Sequence, residues 1–242
     1  MATTTIALLA LMPLLGCLPK GSRPHDMGEA AHEAEAATHD EEAAAHDSQY
    51  DPAARETYST CGSNGRHRYA GCWTSVTNPT QEHLRAAESE RKAATAHREA
   101  SRALARAEDR ACLGISPDDR DMSPFMHVED IVSVEPHLRT RSGGKDGPNT
   151  TIDGATITFL AVPGMTTEWL QRVVDCHVAR NAVLGHDLPE MYACPLVPKG
   201  AQAQARSTGN GFAVDVWSSR AETGEDILSR ARRLVPPASV AQ

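Results

Sequence analysis

Residues 25–52 read HDMGEAA HEAEAAT HDEEAAA HDSQYDP, four blocks of seven with a histidine at the head of each. His25, His32, His39 and His46 therefore stand in strict register. Glu29, Glu35 and Glu42 fall between them, and the series 25, 29, 32, 35, 39, 42, 46 advances in steps of three and four. That spacing keeps side chains on one face of an α-helix. Ala30, Ala34, Ala37 and Ala44 fall on the opposite face, and alanine is the strongest helix former. The expectation is a helix over residues 25–50 with a histidine/glutamate side and an alanine side, stopped by Asp51-Pro52.

A histidine and a carboxylate three or four residues apart are neighbours on a helix surface and can chelate one ion. Histidines seven apart are separated by about 10.5 Å along the axis and cannot share one within a single helix. The set His25, Glu29, His32, Glu35, His39, Glu42 and His46 thus suits several weak sites for Zn²⁺, Cu²⁺ or Ni²⁺ and no closed structural site. A solvated spacer helix fits the same residues, since any His-rich tract has some metal affinity. A pH-sensing face fits them too, because each imidazole has a carboxylate neighbour and charges near neutral pH.

A second alanine-rich stretch follows. Asn78-Pro79-Thr80 opens it, with Thr80 as N-cap and Gln81 and Glu82 in the first turn, and Gly114 and Pro117 close it. Ala86, Ala93, Ala100 and Ala107 recur every seven residues, interleaved with Glu90, His97, Leu104 and Ala111. Two such helices, 25–50 and 80–113, predict an antiparallel hairpin with closely spaced axes, marginal alone because methyl groups bury little area. His83 and His97 read as surface histidines that could add ligands. Residues 51–79, rich in Gly, Ser, Thr and Asn, read as the connecting loop.

From about Met122 the texture changes. Val128–Leu138 and Thr156–Val162 carry β-branched residues and read as strands. Thr166 or Thr167 caps a helix whose apolar stripe includes Trp169, Leu170, Val173, Val174 and Val178. Leu196 to about Arg206 and Phe212–Trp217 follow as strands around the hairpin turn Thr208-Gly209-Asn210-Gly211. A last helix spans about Ala221 to Leu234 before Pro236-Pro237. The order β-β-α-β-β-α over residues 122–236 predicts a small two-layer α+β domain, its sheet covered on one side by two helices. Residues 237–242 form a tail. Aromatic residues make up only 4% of the chain, and all three Phe lie in this half, which places the core there.

The N-terminal residues add a location. Ile6–Leu15 is a short apolar run of signal-peptide length, too short to cross a bilayer. Leu14-Leu15-Gly16-Cys17 then resembles the lipobox of bacterial lipoproteins. That resemblance implies cleavage after Gly16, removal of residues 1–16 as a signal peptide, and lipid attachment (palmitate among the acyl groups) to Cys17, with residues 17–24 as tether. Two chains on one residue suffice for stable anchoring. Leu18, where an inner-membrane protein of that family often has Asp, points to the outer membrane of the cell envelope.

Beside Cys17 stand five cysteines, in an oxidising compartment if the chain is exported. Cys61 and Cys72, flanking Gly62-Ser63-Asn64-Gly65, are the best candidate bridge. Cys176 and Cys194 are the second, which leaves Cys112 single. The net charge of −8, with eight carboxylates against Lys20 and Arg23 in residues 18–50, excludes a nucleic-acid partner. Gly144-Lys145 is no phosphate loop, because Arg139 stands where the first glycine belongs and no Ser or Thr follows the lysine. No G-x-S-x-G, H-E-x-x-H or C-x-x-C occurs. The sequence-level expectation is a non-enzymatic envelope lipoprotein with a scaffolding or protein-interaction role, held to the membrane by the lipid on Cys17 and requiring no cofactor. The alternative is a metal-binding or metal-buffering lipoprotein that uses the heptad histidine/glutamate face.

Overall fold

The computed structural model describes residues 19–62, 71–141 and 148–235. The lipobox residues, Gly16 and Cys17 included, and the Gly144-Lys145 pair lie outside them. The fold is α+β, a long helical hairpin leading into a four-stranded antiparallel sheet backed by helices.

A short 3-10 turn, Pro24–Asp26, precedes α1 (Glu29–Gln49), so His25 sits before the helix. Gly28 caps α1 without a side-chain hydrogen bond, and its α-carbon lies against Gly185; a Cβ there would fall 2.7 Å from the Gly185 nitrogen. α2 (Gln81–Ala111) runs back antiparallel to α1. At 31 residues it is about 46 Å long and overshoots its partner, which has 21. Asn78 and Thr80 tie the open end by hydrogen bonds to the Asp51 backbone.

Residues 51–79 are not a plain loop. They contain β1 (Glu56–Gly62) and β2 (Gly71–Thr77), paired antiparallel with Cys61 directly opposite Cys72 and bonded to it. Threonine, tyrosine, tryptophan and valine in these segments favour extended backbone, a signal that the Gly/Ser/Asn content obscures. The ribbon stands away from the body, and both of its faces are largely solvent-exposed. An isolated two-stranded ribbon is marginal in water, and the disulfide offsets that weakness by constraining the unfolded chain.

A short helix, α3 (Pro117–Asp121), capped by the Ser116 hydroxyl, links α2 to the sheet. The sheet order is β3 (Ile131–Arg141), β4 (Asn149–Leu160), β6 (Gly211–Trp217), β5 (Gln202–Thr208). Each strand differs by a few residues from its sequence-based range: Val128–Asp130 is a 3-10 turn, and residues 196–201 form turns ahead of β5, buried except at Lys199 and Gly200. α4 (Thr167–Leu184) and α5 (Ala221–Arg232) cover one face. The alternation of inward residues explains this: Ala155, Ile157 and Phe159 pair in register with Val216, Val214 and Phe212. They meet Leu170 and Val174 of α4 and Ile227, Leu228 and Ala231 of α5 in one core. Gly154 and Gly224 permit close approach. A Cβ on Gly154 would fall 1.9 Å from the Val216 carbonyl oxygen, and one on Gly224 would fall 2.6 Å from the Asp153 backbone.

One pairing departs from expectation. Cys176 bonds Cys112, joining the end of α2 to the middle of α4, and Cys194 is a buried free thiol. The reason is spatial. Cys112 and Cys176 have α-carbons 4.5 Å apart, within bridging range. Cys194 lies in the core, where burial pushes its thiol pKa up.

Candidate metal centre in the helical hairpin

The histidine heptads lie in the seam between the two helices. On α1 the inward positions are His32, Ala36, His39, Ala43 and His46; on α2 they are His83, Ala87, Glu90, Ala94 and His97. Both series step by four and three, the spacing of a packed helix pair. Large and small side chains alternate along it. Ala30, Ala34, Ala37 and Ala44, expected to form the packing side, face solvent instead. Their methyl groups offer little area, whereas the imidazoles fill the layers left by buried alanines and also hydrogen-bond across the seam.

Each layer has its own pairing. His32 is fully buried, and its Nδ1 lies 3.0 Å from Nδ1 of His97, itself 2% exposed. His32 Nε2 lies 3.3 Å from the Pro24 carbonyl, which can only accept, so this nitrogen carries the proton in the neutral ring. His32 Nδ1 then accepts from His97 Nδ1–H, and His97 Nε2 keeps its lone pair. Two turns on, His39 Nδ1 is 2.6 Å from Glu90 Oε2 and 3.7 Å from Glu42 Oε2, and its ring lies 5.5 Å from that of His97. At the open end His46 Nδ1 and His83 Nδ1 are 3.3 Å apart. Arg98–Asp40 and Arg91–Asp47 ion pairs flank the seam.

His39, Glu42 and Glu90 offer ligand atoms that all lie within 4.8 Å of one another, His39 and Glu90 half-buried between the two helices and Glu42 exposed at the rim. One imidazole and two carboxylates is a donor set for a divalent first-row ion. The 3.3 Å between the His46 and His83 nitrogens also matches two ligands of one tetrahedral ion, whose bonds of about 2.0–2.1 Å place nitrogens about 3.3 Å apart. Burial, followed by repulsion from His32 and His39, holds the His97 pKa below the ordinary imidazole value, which favours its neutral, ligating form.

The seven candidate ligands read from α1 divide. His32, His39, Glu42 and His46 reach the seam or its rim, while Glu35 is exposed and Glu29 half-exposed, outside the cluster. His25 lies elsewhere, on the rim of a cavity with His186. His83 and His97, read from the sequence as surface histidines that could add ligands, instead face α1 in the seam, with His97 buried; which α1 layer they and Glu90 meet depends on the hairpin register, which spacing leaves open.

The other half of the molecule holds titratable groups with structural partners. His177 is buried, and its Nε2–H donates to the Asp119 carbonyl. His186, in the left-handed region at φ 64°, donates from Nδ1 to the Val197 carbonyl. Burial lowers both pKa values. With Cys176 in a disulfide and Cys194 a high-pKa thiol, the Cys176, His177, His186, Cys194 group has no thiolate nucleophile. On the open face of the sheet, His137 Nδ1 is 2.7 Å from buried Asp153 and its ring stacks on Trp217, a pairing that spacing in sequence does not announce. The chain matches no protein-family model, and no curated protein or solved structure is similar to it.

Proposed function

We propose that this protein is a membrane-anchored envelope lipoprotein whose helical hairpin binds a divalent transition-metal ion, Zn²⁺, Cu²⁺ or Ni²⁺, between its two helices. The observation that carries this reading is that His32, His39 and His46 each meet a ligand-type side chain of α2, namely His97, Glu90 and His83. His39, Glu90 and Glu42 form the central site. His97 Nε2 and the His46/His83 pair lie on either side of it along the seam. An ion there joins α1 to α2 and replaces the hydrogen bonds now linking them, so binding would stabilise the hairpin. The lipid on Cys17 would hold this hairpin at the outer membrane.

Titration of each metal into the full chain carrying Cys17→Ser, beside a His39→Gln/Glu90→Gln variant, tests the reading. Saturable micromolar binding, a rise in melting temperature with metal and loss of both in the variant support it. Equal, weak binding by both chains overturns it.

A second reading, a non-catalytic scaffold that engages another envelope protein, has its own support in the projecting β1–β2 ribbon. Tyr58 and Trp73 lie on one face of it at 49% and 54% exposure, and Val76 on the other at 60%. Exposed aromatic side chains on a disulfide-braced arm suit protein contact. Deletion of residues 57–76 would abolish capture of an envelope partner under this reading and leave metal binding unchanged.

A further inference from the structure

Away from the seam, α2, α4, the segment before α1 and the turn into β5 border a solvent-open cavity of about 690 Å³, within the range of small-molecule sites, about 300–1,000 Å³. Its wall is apolar, with Leu104, Val178, Ala182 and Ala201 among the lining side chains. Its polar lining is mostly basic: His25, His186, Lys199 and Arg220. Burial lowers the His186 pKa against the hydrogen bond to Val197, and nearby His25 and Lys199 add repulsion. The carboxylate of Asp26, in the turn before α1, is turned back to accept from the Arg23 amide, while its carbonyl receives the Lys199 ammonium at 3.3 Å. One carboxylate lines the cavity, Asp175, which accepts from Gln171. It lies nine residues before the end of α4, about 14 Å along the helix from the turn carrying His186. The cavity therefore has a basic end and an apolar length.

We infer that this cavity is a binding site for an amphiphilic monocarboxylate, its head group at Lys199 and Arg220 and its hydrocarbon tail along the α2–α4 wall. The head would receive charge-assisted hydrogen bonds from Lys199 and Arg220, with His25 at the mouth. The tail would displace water from a surface of alanine, valine and leucine side chains, the source of most of the affinity. The inference is independent of the metal reading, since no cavity residue belongs to the seam cluster.

Isothermal titration of dodecanoate and of dodecanol, below their aggregation limits, into the full chain carrying Cys17→Ser tests it. The expected result is saturable one-to-one binding of dodecanoate, with dodecanol weaker by about tenfold or more for want of charge-assisted bonds. Lys199→Glu/Arg220→Glu alters two exposed side chains and should weaken dodecanoate binding by about tenfold or more while leaving dodecanol unchanged. Val178→Trp should block both ligands by filling the wall. If that variant fails to fold, the charge-reversed chain still decides. Absence of saturable binding to the intact chain, or an unchanged dodecanoate affinity after charge reversal, overturns the proposal.

Discussion

His32 and His97, 65 residues apart in sequence, face each other across the helical hairpin with their Nδ1 atoms 3.0 Å apart and almost no solvent contact. Two imidazoles at that separation can share one proton, but both cannot be charged without strong repulsion in a poorly solvated seam. Charging both imidazoles of this pair would therefore weaken the hairpin.

Acid should weaken the hairpin. The pKa of His97 in the folded chain lies below 6.5, its value in an unfolded chain, through burial and then the nearness of His32 and His39; Glu35 and Asp26 oppose this more weakly. As pH falls through 6.5 the unfolded chain takes up a proton that the folded chain refuses, so unfolding becomes easier. Buried His177 and half-buried His186 act in the same direction. Melting temperature followed by circular dichroism should drop steadily below neutral pH. His97→Gln should flatten the slope, and an unchanged slope would show that His97 is not the titrating group.

The junction between hairpin and sheet domain rests on Glu108. This buried carboxylate receives Arg120 at 2.6 Å and Arg180 at 3.1 Å, from α3 and α4. Glu108→Ala leaves two guanidinium groups facing each other without their anion. Because both arginines retain some solvent, the loss should be about 2 kcal/mol, below that of a fully buried pair. Urea unfolding would measure it, and a midpoint unchanged from the parent would remove Glu108 from the account.

Thiol chemistry should separate the cysteines. In the native oxidised chain carrying Cys17→Ser, Ellman's reagent should find no reactive thiol, because Cys194 is buried and its pKa raised. Denaturant without reductant should release one. Replacing Cys112 and Cys176 together by serine removes a bridge spanning 64 residues, worth about 4 kcal/mol on the loop-entropy account. Three reactive thiols in the denatured parent chain, or labelling of Cys112 in place of Cys194, would contradict the pairing.

Gly154→Ala should disrupt the sheet where β4 meets β6. The added methyl would overlap the Val216 carbonyl, and neither strand can withdraw without losing its neighbours. A loss of about 3 kcal/mol or more is expected. Gly209→Ala, whose methyl would meet nothing within 4 Å, is the control. Comparable melting of the two variants would refute the packing argument.

The order of helices and strands in the body of the chain was legible because each has a local signature. Heptad alanines mark α1 and α2, Thr166 caps α4, and β-branched alternation marks β4 and β6. The β1–β2 ribbon was hidden, since Gly, Ser and Asn around Cys61 and Cys72 read as loop. Only part of the candidate metal centre was legible: the heptads singled out His39 and Glu42, but nothing local joins them to Glu90, 51 residues from His39.

What the sequence by itself determined is periodicity: which residues share a helix face, which strands alternate, and which turns reverse the chain. Those properties belong to a few neighbouring residues and their backbone preferences. The tertiary structure decided which face turns inward and which distant groups meet. A stripe of histidine and alanine is compatible with solvent or with a partner helix, and α2 settles the choice by offering His83, Glu90 and His97 at complementary steps. Likewise Cys176 could have paired with either neighbour by spacing, and the docking of α2 on α4 brought Cys112 within reach. Contacts of that kind depend on distances in space that the order of residues leaves open.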